Sequence, residues 1–405
     1  MQQLITAEQV VVGPAGQRVA DGAVLVDGDT ISAVGPRHEV EPRTEDTCRH
    51  TAVGGTVLPG LVNAHVHLCW DADFGMLERY RAADDAELLL GIAGRAQRAL
   101  RAGVTTLRDL GDRDGLVLRV RDAIERGDLV GPRLLGSGPP LTPPEGHCWF
   151  FGGEVSGPEE IRARVRGNVA LGADVIKVMA SGGQMTPGSP PTWQSQFSAE
   201  ELALVVEEAH AAGLPVAAHA HGTEAIAAAT AAGVDTIEHC SWQGARNSGP
   251  DPREDVARKI AARGIAVCHA YPPDWRTFQR VVVGEKGARD VLERIHWMDG
   301  HGIRFVPGTD AGLPTSVFDN YVGALSYYVE AVGWPPARVI DMATTGAARA
   351  LGWERVGELA PGCSADLLVV DGDPLSDITA LHRQRLVLAR GNAVVPDAAV
   401  GQRAS

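Results

Sequence analysis

Several stretches of the chain carry residue types that could bind metal ions and move protons. Asn63-Ala64-His65-Val66-His67 sets two histidines at i, i+2 in an apolar run. Side chains alternate across a strand, so both rings face one side, where two costly polar groups need partners. Metal ligation supplies such partners. Asp174-Val175-Ile176-Lys177-Val178-Met179 holds a lysine in a run too apolar for a solvated ammonium, and burying that charge uncompensated costs on the order of several kcal/mol. Two readings stay open there: an ion pair or snorkelling side chain, or a neutral amine that has been chemically modified. Ala217-Ala218-His219-Ala220-His221-Gly222 brings a second same-face pair to a strand end, and parity does not choose between its members. Thr236-Ile237-Glu238-His239 adds another histidine on the next strand, and Phe305-Val306-Pro307-Gly308-Thr309-Asp310 ends in a carboxylate on a Gly-flanked turn. A lone strand-end aspartate is usually a helix cap. Beside this many inward histidines, Asp310 reads as a metal ligand and proton carrier.

These residues need elements that bring them to one place. Short apolar runs ending near His67, Asp109, Ser137, Met179, His221, His239, Tyr271 and Asp310 alternate with Ala/Glu/Arg-rich helical sequence such as 200–212 and 223–232. That rhythm is the signature of βα units around a parallel sheet, and eight units predict a (β/α)8 TIM barrel. A longer doubly wound sheet would not require the chemistry to gather at every strand end. Both chain ends differ from this middle. Short apolar strands with Asp27-Gly28 and Asp371-Gly372 turns predict one small β-sandwich domain built from residues 1–55 and 358–405, with the barrel at 56–357. The other reading is that each end only caps the barrel.

The set is similar to the amidohydrolase superfamily over nearly the whole chain, from Pro59-Gly60-Leu61-Val62-Asn63-Ala64-His65-Val66-His67 to Ala360-Pro361-Gly362-Cys363-Ser364-Ala365-Asp366-Leu367. Within it, Ile176-Lys177-Val178-Met179-Ala180-Ser181-Gly182-Gly183 with His219-Ala220-His221-Gly222 and Ile237-Glu238-His239 resembles the prolidase-like branch of dipeptidases, carboxypeptidase-like enzymes and an ochratoxin-cleaving amidase. The resemblance implies that His65, His67 and Asp310 hold one divalent metal ion and His219 and His239 a second, with an N6-carboxylated Lys177 bridging them. Zinc suits such nitrogen and oxygen donors. A hydroxide shared by the metals would be the nucleophile, since even one zinc brings the pKa of its water to about 7. Asp310 would carry its proton to the leaving nitrogen, the step an amide most needs. The implied activity is hydrolysis of a small-molecule or peptide amide.

A second set of residues is less specific. His147, with Trp149, Phe150 and Phe151, lies after the third strand and either contacts substrate or packs the loop. His221 is expected beside the metals, and Arg108 as a carboxylate binder or, more plainly, the partner of Asp109 or Asp112. Gly182-Gly183 to Pro190-Pro191 reads as a lid or a long loop. After the seventh strand, Cys268-His269-Ala270-Tyr271-Pro272-Pro273 departs from the Pro-Thr type of turn expected in the branch, so His269 and Tyr271 become candidate substrate contacts.

Composition closes other routes. Thirty-seven basic against 51 acidic residues leave a formal charge of −14 in 405 residues, which disfavours a polyanionic partner such as nucleic acid. No apolar run reaches the ~18 residues of a membrane span and the first residues show no signal-peptide pattern, so the expectation is a cytoplasmic protein. Six scattered cysteines without C-x-x-C predict buried thiols, and a homo-oligomer stays open. Rival readings are a deaminase or cyclic-amide hydrolase of the same superfamily, a peptide-tailoring enzyme of natural-product biosynthesis, and a non-catalytic barrel scaffold. His221-Gly222-Thr223-Glu224 imitates the H-x-x-E of one-metal deaminases. Those enzymes, by the same resemblance, lack a bridging lysine.

Overall fold

The computed structural model describes residues 2–394; Met1 and the last part of the expected C-terminal strand region, 395–405, lie outside them. Strands β1 (Gln2–Val11), β2 (Arg18–Asp27), β3 (Thr30–Pro36), β4 (Arg49–Ala52) and β5 (Thr56–Pro59) come from the N-terminal end. The middle contributes β6 (Leu61–Val66), β7 (Val104–Asp109), β8 (Arg133–Gly136), β9 (Ile176–Met179), β10 (Val216–Gly222), β11 (Thr236–Gln243), β12 (Ala266–Ala270) and β13 (Arg304–Gly308). The C-terminal end adds β14 (Leu367–Val370), β15 (Gln384–Ala389) and β16 (Asn392–Val394).

Both chain ends share one eight-stranded sheet in the order β16-β15-β14-β5-β1-β2-β3, with β4 beside β1. Alternation packs Ile5, Val24, Val26 and Ile31 into one cluster, while Leu4, Ala23, Leu25 and Ala33 form another. Between β5, held by β1 and β14, and β6 stands only Gly60. A Cβ there would lie 2.0 Å from Thr105 Oγ1, so the turn into the first histidine-bearing strand requires glycine.

The middle of the chain forms two parallel sheets, β6-β7-β8 and β9-β10-β11-β12-β13. Each βα step follows the expected physics. In helix 199–211, Ser198 and Glu201 form a capping box, and Leu202, Val205, Val206 and Ala209 bury one stripe. The sheet edges also meet. Val66 bridges Ala311 in parallel, and Asp310 N–H donates to His65 C=O at 2.9 Å. On the other side Leu141 N–H donates to Lys177 C=O at 2.8 Å, and Met179 N–H to Leu141 C=O at 2.9 Å. Among the described residues all six cysteines are free thiols, and no helix is long and apolar enough to cross a membrane.

Candidate active site

The residues singled out for their chemistry meet at the C-terminal ends of the parallel strands. His65 from β6 and His67 just after it face Asp310, with His65 Nε2 and His67 Nε2 at 3.4 and 3.3 Å from Asp310 Oδ1. The rings of His219, His221 and His239 lie 4.6–4.7 Å apart pair by pair. Within each of these two trios, the potential ligand atoms lie within 4.8 Å of one another. His65 and His239 join the trios across 5.1 Å. Lys177, 1% exposed, shares with His65, His67, His219, His239 and Asp310 a narrow cavity of about 30 Å³.

The buried lysine has no counterion: no hydrogen bond or ion pair to its amine occurs among the described residues. The ion-pair reading of Lys177 therefore finds no partner here. Burial lowers its pKa, with Glu238 and Asp310 only partly opposing this. Burial alone would raise the Asp310 carboxyl, but His65, His67 and Lys177 hold it below the usual carboxylate range. At neutral pH it is ionised.

Two backbone features aim these side chains. Asp310 has φ 55° and His239 φ 67°, left-handed values that cost non-glycine residues energy and persist where surroundings enforce them. At Asp310 the paired hydrogen bonds to His65 C=O do so. On β11, strict alternation would send only one of Glu238 and His239 inward; the left-handed turn at His239 and Cys240 lets both point to the site.

Glu238 is the residue that sequence patterns did not single out. Wholly buried, it accepts from Arg108 Nη2 at 2.9 Å and Thr236 Oγ1 at 2.6 Å, and its other oxygen meets His65 Nδ1 at 2.8 Å. Burial would raise its pKa, but Arg108 and His65 hold the carboxyl well below its ordinary value. As the anionic acceptor of His65 Nδ1–H, it leaves Nε2 as the lone pair directed at Asp310 and a metal. The signal was present, one position before His239, but alternation argued against using both.

Arg108 is corrected by the same network. Expected as a substrate-carboxylate binder or the partner of Asp109 or Asp112, it spans the interior from β7 and donates to Ala64 C=O, Thr236 and Glu238. Asp109 instead caps the loops through Leu68 N–H and Gly111 N–H. Glu224, the acid of the deaminase-like motif, is exposed and pairs with Arg253 at 2.9 Å. Phe150 and Phe151 pack with Trp70 and Tyr80 behind His67 rather than facing substrate space.

A larger cavity of about 460 Å³ opens beside the histidines and contains His147, His221, His269, Tyr271 and Asp310. His147 is fixed by Thr186, whose hydroxyl lies 3.1 Å from Nδ1 and also accepts from Cys148 N–H at 2.8 Å. The Gly/Pro loop of 181–191 is tied down rather than free. Ser181 bridges Ser195, Gly182 N–H donates to Gln194 C=O at 3.0 Å, and a Cβ on Gly183 would come within 2.3 Å of the His147 ring. His221 Nδ1 meets Ser241 Oγ at 2.8 Å. His269 stacks on Tyr271, which stacks on Tyr327 at 3.9 Å.

Burial keeps this histidine cluster neutral: His147 is pushed down to about 3, His221 to about 4 and His269 to about 3, while His219 and His239 fall well below the ordinary value. An unfolded histidine titrates near pH 6.5, so the unfolded state binds more protons as pH falls below that value. Each such histidine then removes up to about 1.4 kcal/mol of stability per pH unit until its folded pKa is reached. Asp109, raised to about 6 by burial, and Asp112 act in the opposite sense but are outnumbered. The metal-free protein should show a steep fall in Tm from about pH 6.5 towards 4. Calorimetry across that range checks this; a Tm unchanged at pH 5 would mean that the histidines are not held neutral.

Comparison with known proteins agrees with this geometry. The sequence pattern of the amidohydrolase family matches residues 56–394. Ochratoxinase of Aspergillus niger is 29% identical over 415 aligned residues, covering 92% of this chain and 82% of the relative. A crystal structure of a Xaa-Pro dipeptidase with bound methionine superposes with TM-score 0.84 at 26% identity, over 97% of this chain and all of that one. The crystal structure of A. niger ochratoxinase gives 0.83 at 26%, over 97% and 95%. The chain belongs to the amidohydrolase family, in its prolidase- and ochratoxinase-like branch.

Proposed function

We propose that this chain is a binuclear metal-dependent hydrolase of amide bonds in small molecules or peptides. The observation that carries the reading is the convergence of His65, His67, Lys177, His219, His239 and Asp310 on one narrow cavity. In this reading the two parallel sheets act as one closed (β/α)8 barrel, which the edge hydrogen bonds at His65/Asp310 and Leu141/Lys177 support. The described residues of the two chain ends then form one small β domain, its strands steadying β6 through Gly60.

The donor set fits two zinc-like ions. His65, His67 and Asp310 would hold one, His219 and His239 the other, and Lys177, carboxylated on its amine, would be shared. The fit rests on the uncompensated buried amine: reaction of the neutral amine with carbon dioxide forms an N–C bond, releases a proton and replaces a stranded cation by an anionic oxygen donor. Bound metal would supply Lewis acidity and a water acidic enough to attack at neutral pH. The chain's own groups do the rest. Glu238 fixes the His65 tautomer. Asp310, ionised at neutral pH, takes a proton from the attacking water and returns it to the departing nitrogen. His147 lines both cavities with its Nδ1 committed to Thr186, and its Nε2, 3.5 Å from Cys148 Sγ, would donate to the scissile carbonyl.

Dialysis against a chelator should abolish hydrolysis of an N-acyl amino acid panel, and zinc should restore it with about two ions bound per chain. His221→Asn is expected to keep both ions, because the family resemblance assigns His219 and His239 to the second metal. One ion per chain in that variant would exchange the roles of His219 and His221.

A further inference from the structure

Arg294 lies on helix 284–300, which follows β12 and buries Ile295 and Met298 against the sheet. Its neighbour in sequence is thus core, while Arg294 itself is half-buried and lines the larger cavity. Other sheltered arginines have partners: Arg108 pairs with Glu238, Arg121 with Asp174 and Arg338 with Asp299, and buried Arg95 donates to Leu68 C=O. Arg294 differs. No hydrogen bond, ion pair or ring contact involves it among the described residues. Asp290, one turn earlier, is engaged by Lys286 at 2.8 Å. Burial pushes the Arg294 pKa below its ordinary value, with Asp290 the first group to oppose this.

The cavity otherwise holds one carboxylate, Asp310, which the proposed function assigns to metal. Its lining also includes the apolar Phe278, Val282, Val283, Val291 and Leu313. Besides Asp290, the titratable groups that feel the Arg294 charge, Tyr271, Tyr327, Cys240, His221 and His269, are neutral at pH 7. A planar guanidinium with free donors in such a setting matches a carboxylate bidentately. We infer that Arg294 is the receptor for a free carboxylate on the substrate, so that the enzyme prefers amides carrying a carboxylate beside an apolar side chain to the same amides without it. This rests on the amide-hydrolase reading and specifies its substrate class.

The test pairs N-acetyl-L-phenylalanine, N-acetyl-L-leucine and N-acetyl-L-proline with their decarboxylated counterparts, such as N-acetyl-2-phenylethylamine, on zinc-loaded wild-type protein, Arg294→Met and Arg294→Lys. Release of the amine is measured. Wild type should favour the acids about 100-fold in kcat/KM, carried mainly by KM, and Arg294→Met should reduce that preference to within about threefold. Arg294→Lys, which keeps the charge but not the fork, should retain an intermediate preference. Because the buried charge has no partner, Arg294→Met should not lower Tm, whereas a purely structural arginine would. An acid preference that survives Arg294→Met, or wild-type hydrolysis of both members of each pair at equal rates, overturns the inference and leaves the hydrolase reading standing. Hydrolysis of no probe by metal-loaded protein overturns the hydrolase reading and this inference with it.

Discussion

Lys177→Ala is expected to lower metal content from about two ions per chain to one or fewer and to reduce amide hydrolysis by at least about 10³-fold. The reason is electrostatic. Two divalent ions in one buried cavity would repel each other, and the donors there are four histidines, which bring no negative charge, and a single carboxylate, Asp310. Removing the anion that Lys177 would carry leaves that charge uncompensated in a medium where it is expensive. The folded metal-free protein should suffer less than this loss suggests. Alanine opens a cavity, but it also removes a buried amine that has no hydrogen bond or ion pair among the described residues. Metal analysis, activity and Tm measured on one preparation separate these effects. A Lys177→Ala protein that retains both ions and near wild-type turnover would show that the lysine is not part of the metal site.

Asp310→Asn should keep its metal but lose about 10²- to 10⁴-fold in kcat, with KM changing far less. The amide retains an oxygen for coordination and a similar shape, so the left-handed backbone at this position and the hydrogen bond to His65 C=O can persist. What it loses is the ability to accept a proton and give it back. The charge difference also matters before any turnover: the carboxylate draws its low pKa from His65, His67 and Lys177, and that attraction is absent in the variant. Steady-state kinetics with metal analysis checks the prediction, and near wild-type turnover would remove Asp310 from the proton path.

How much of this could be read from the sequence depends on which rule each residue obeys. His65 and His67 follow strand alternation, so their common face was legible from spacing alone. Lys177 was conspicuous because lysine is scarce in this chain and its neighbours are apolar. The eight strand ends were placed close to where they fall, since turn residues and helical stripes bracket each run. Glu238 was hidden because β11 departs from alternation at His239, a left-handed backbone that no periodicity announces. Arg108 was misread because its partner lies 130 positions away across the interior. Arg294 was invisible for another reason: one arginine on a helix of mixed charge looks like a solvated face until the cavity it lines is seen. The aromatic run at 149–151 left substrate contact and loop packing equally open, and two of its three rings pack behind His67.

The most direct test is a crystal structure of the zinc-loaded protein with anomalous data. The account predicts two peaks, one among His65, His67 and Asp310 and one beside His219 and His239, with continuous density running from Lys177 Nζ to a planar three-atom group between them. An ordered Lys177 that ends at its amine in a fully metal-loaded crystal, with a single peak in the site, would contradict it.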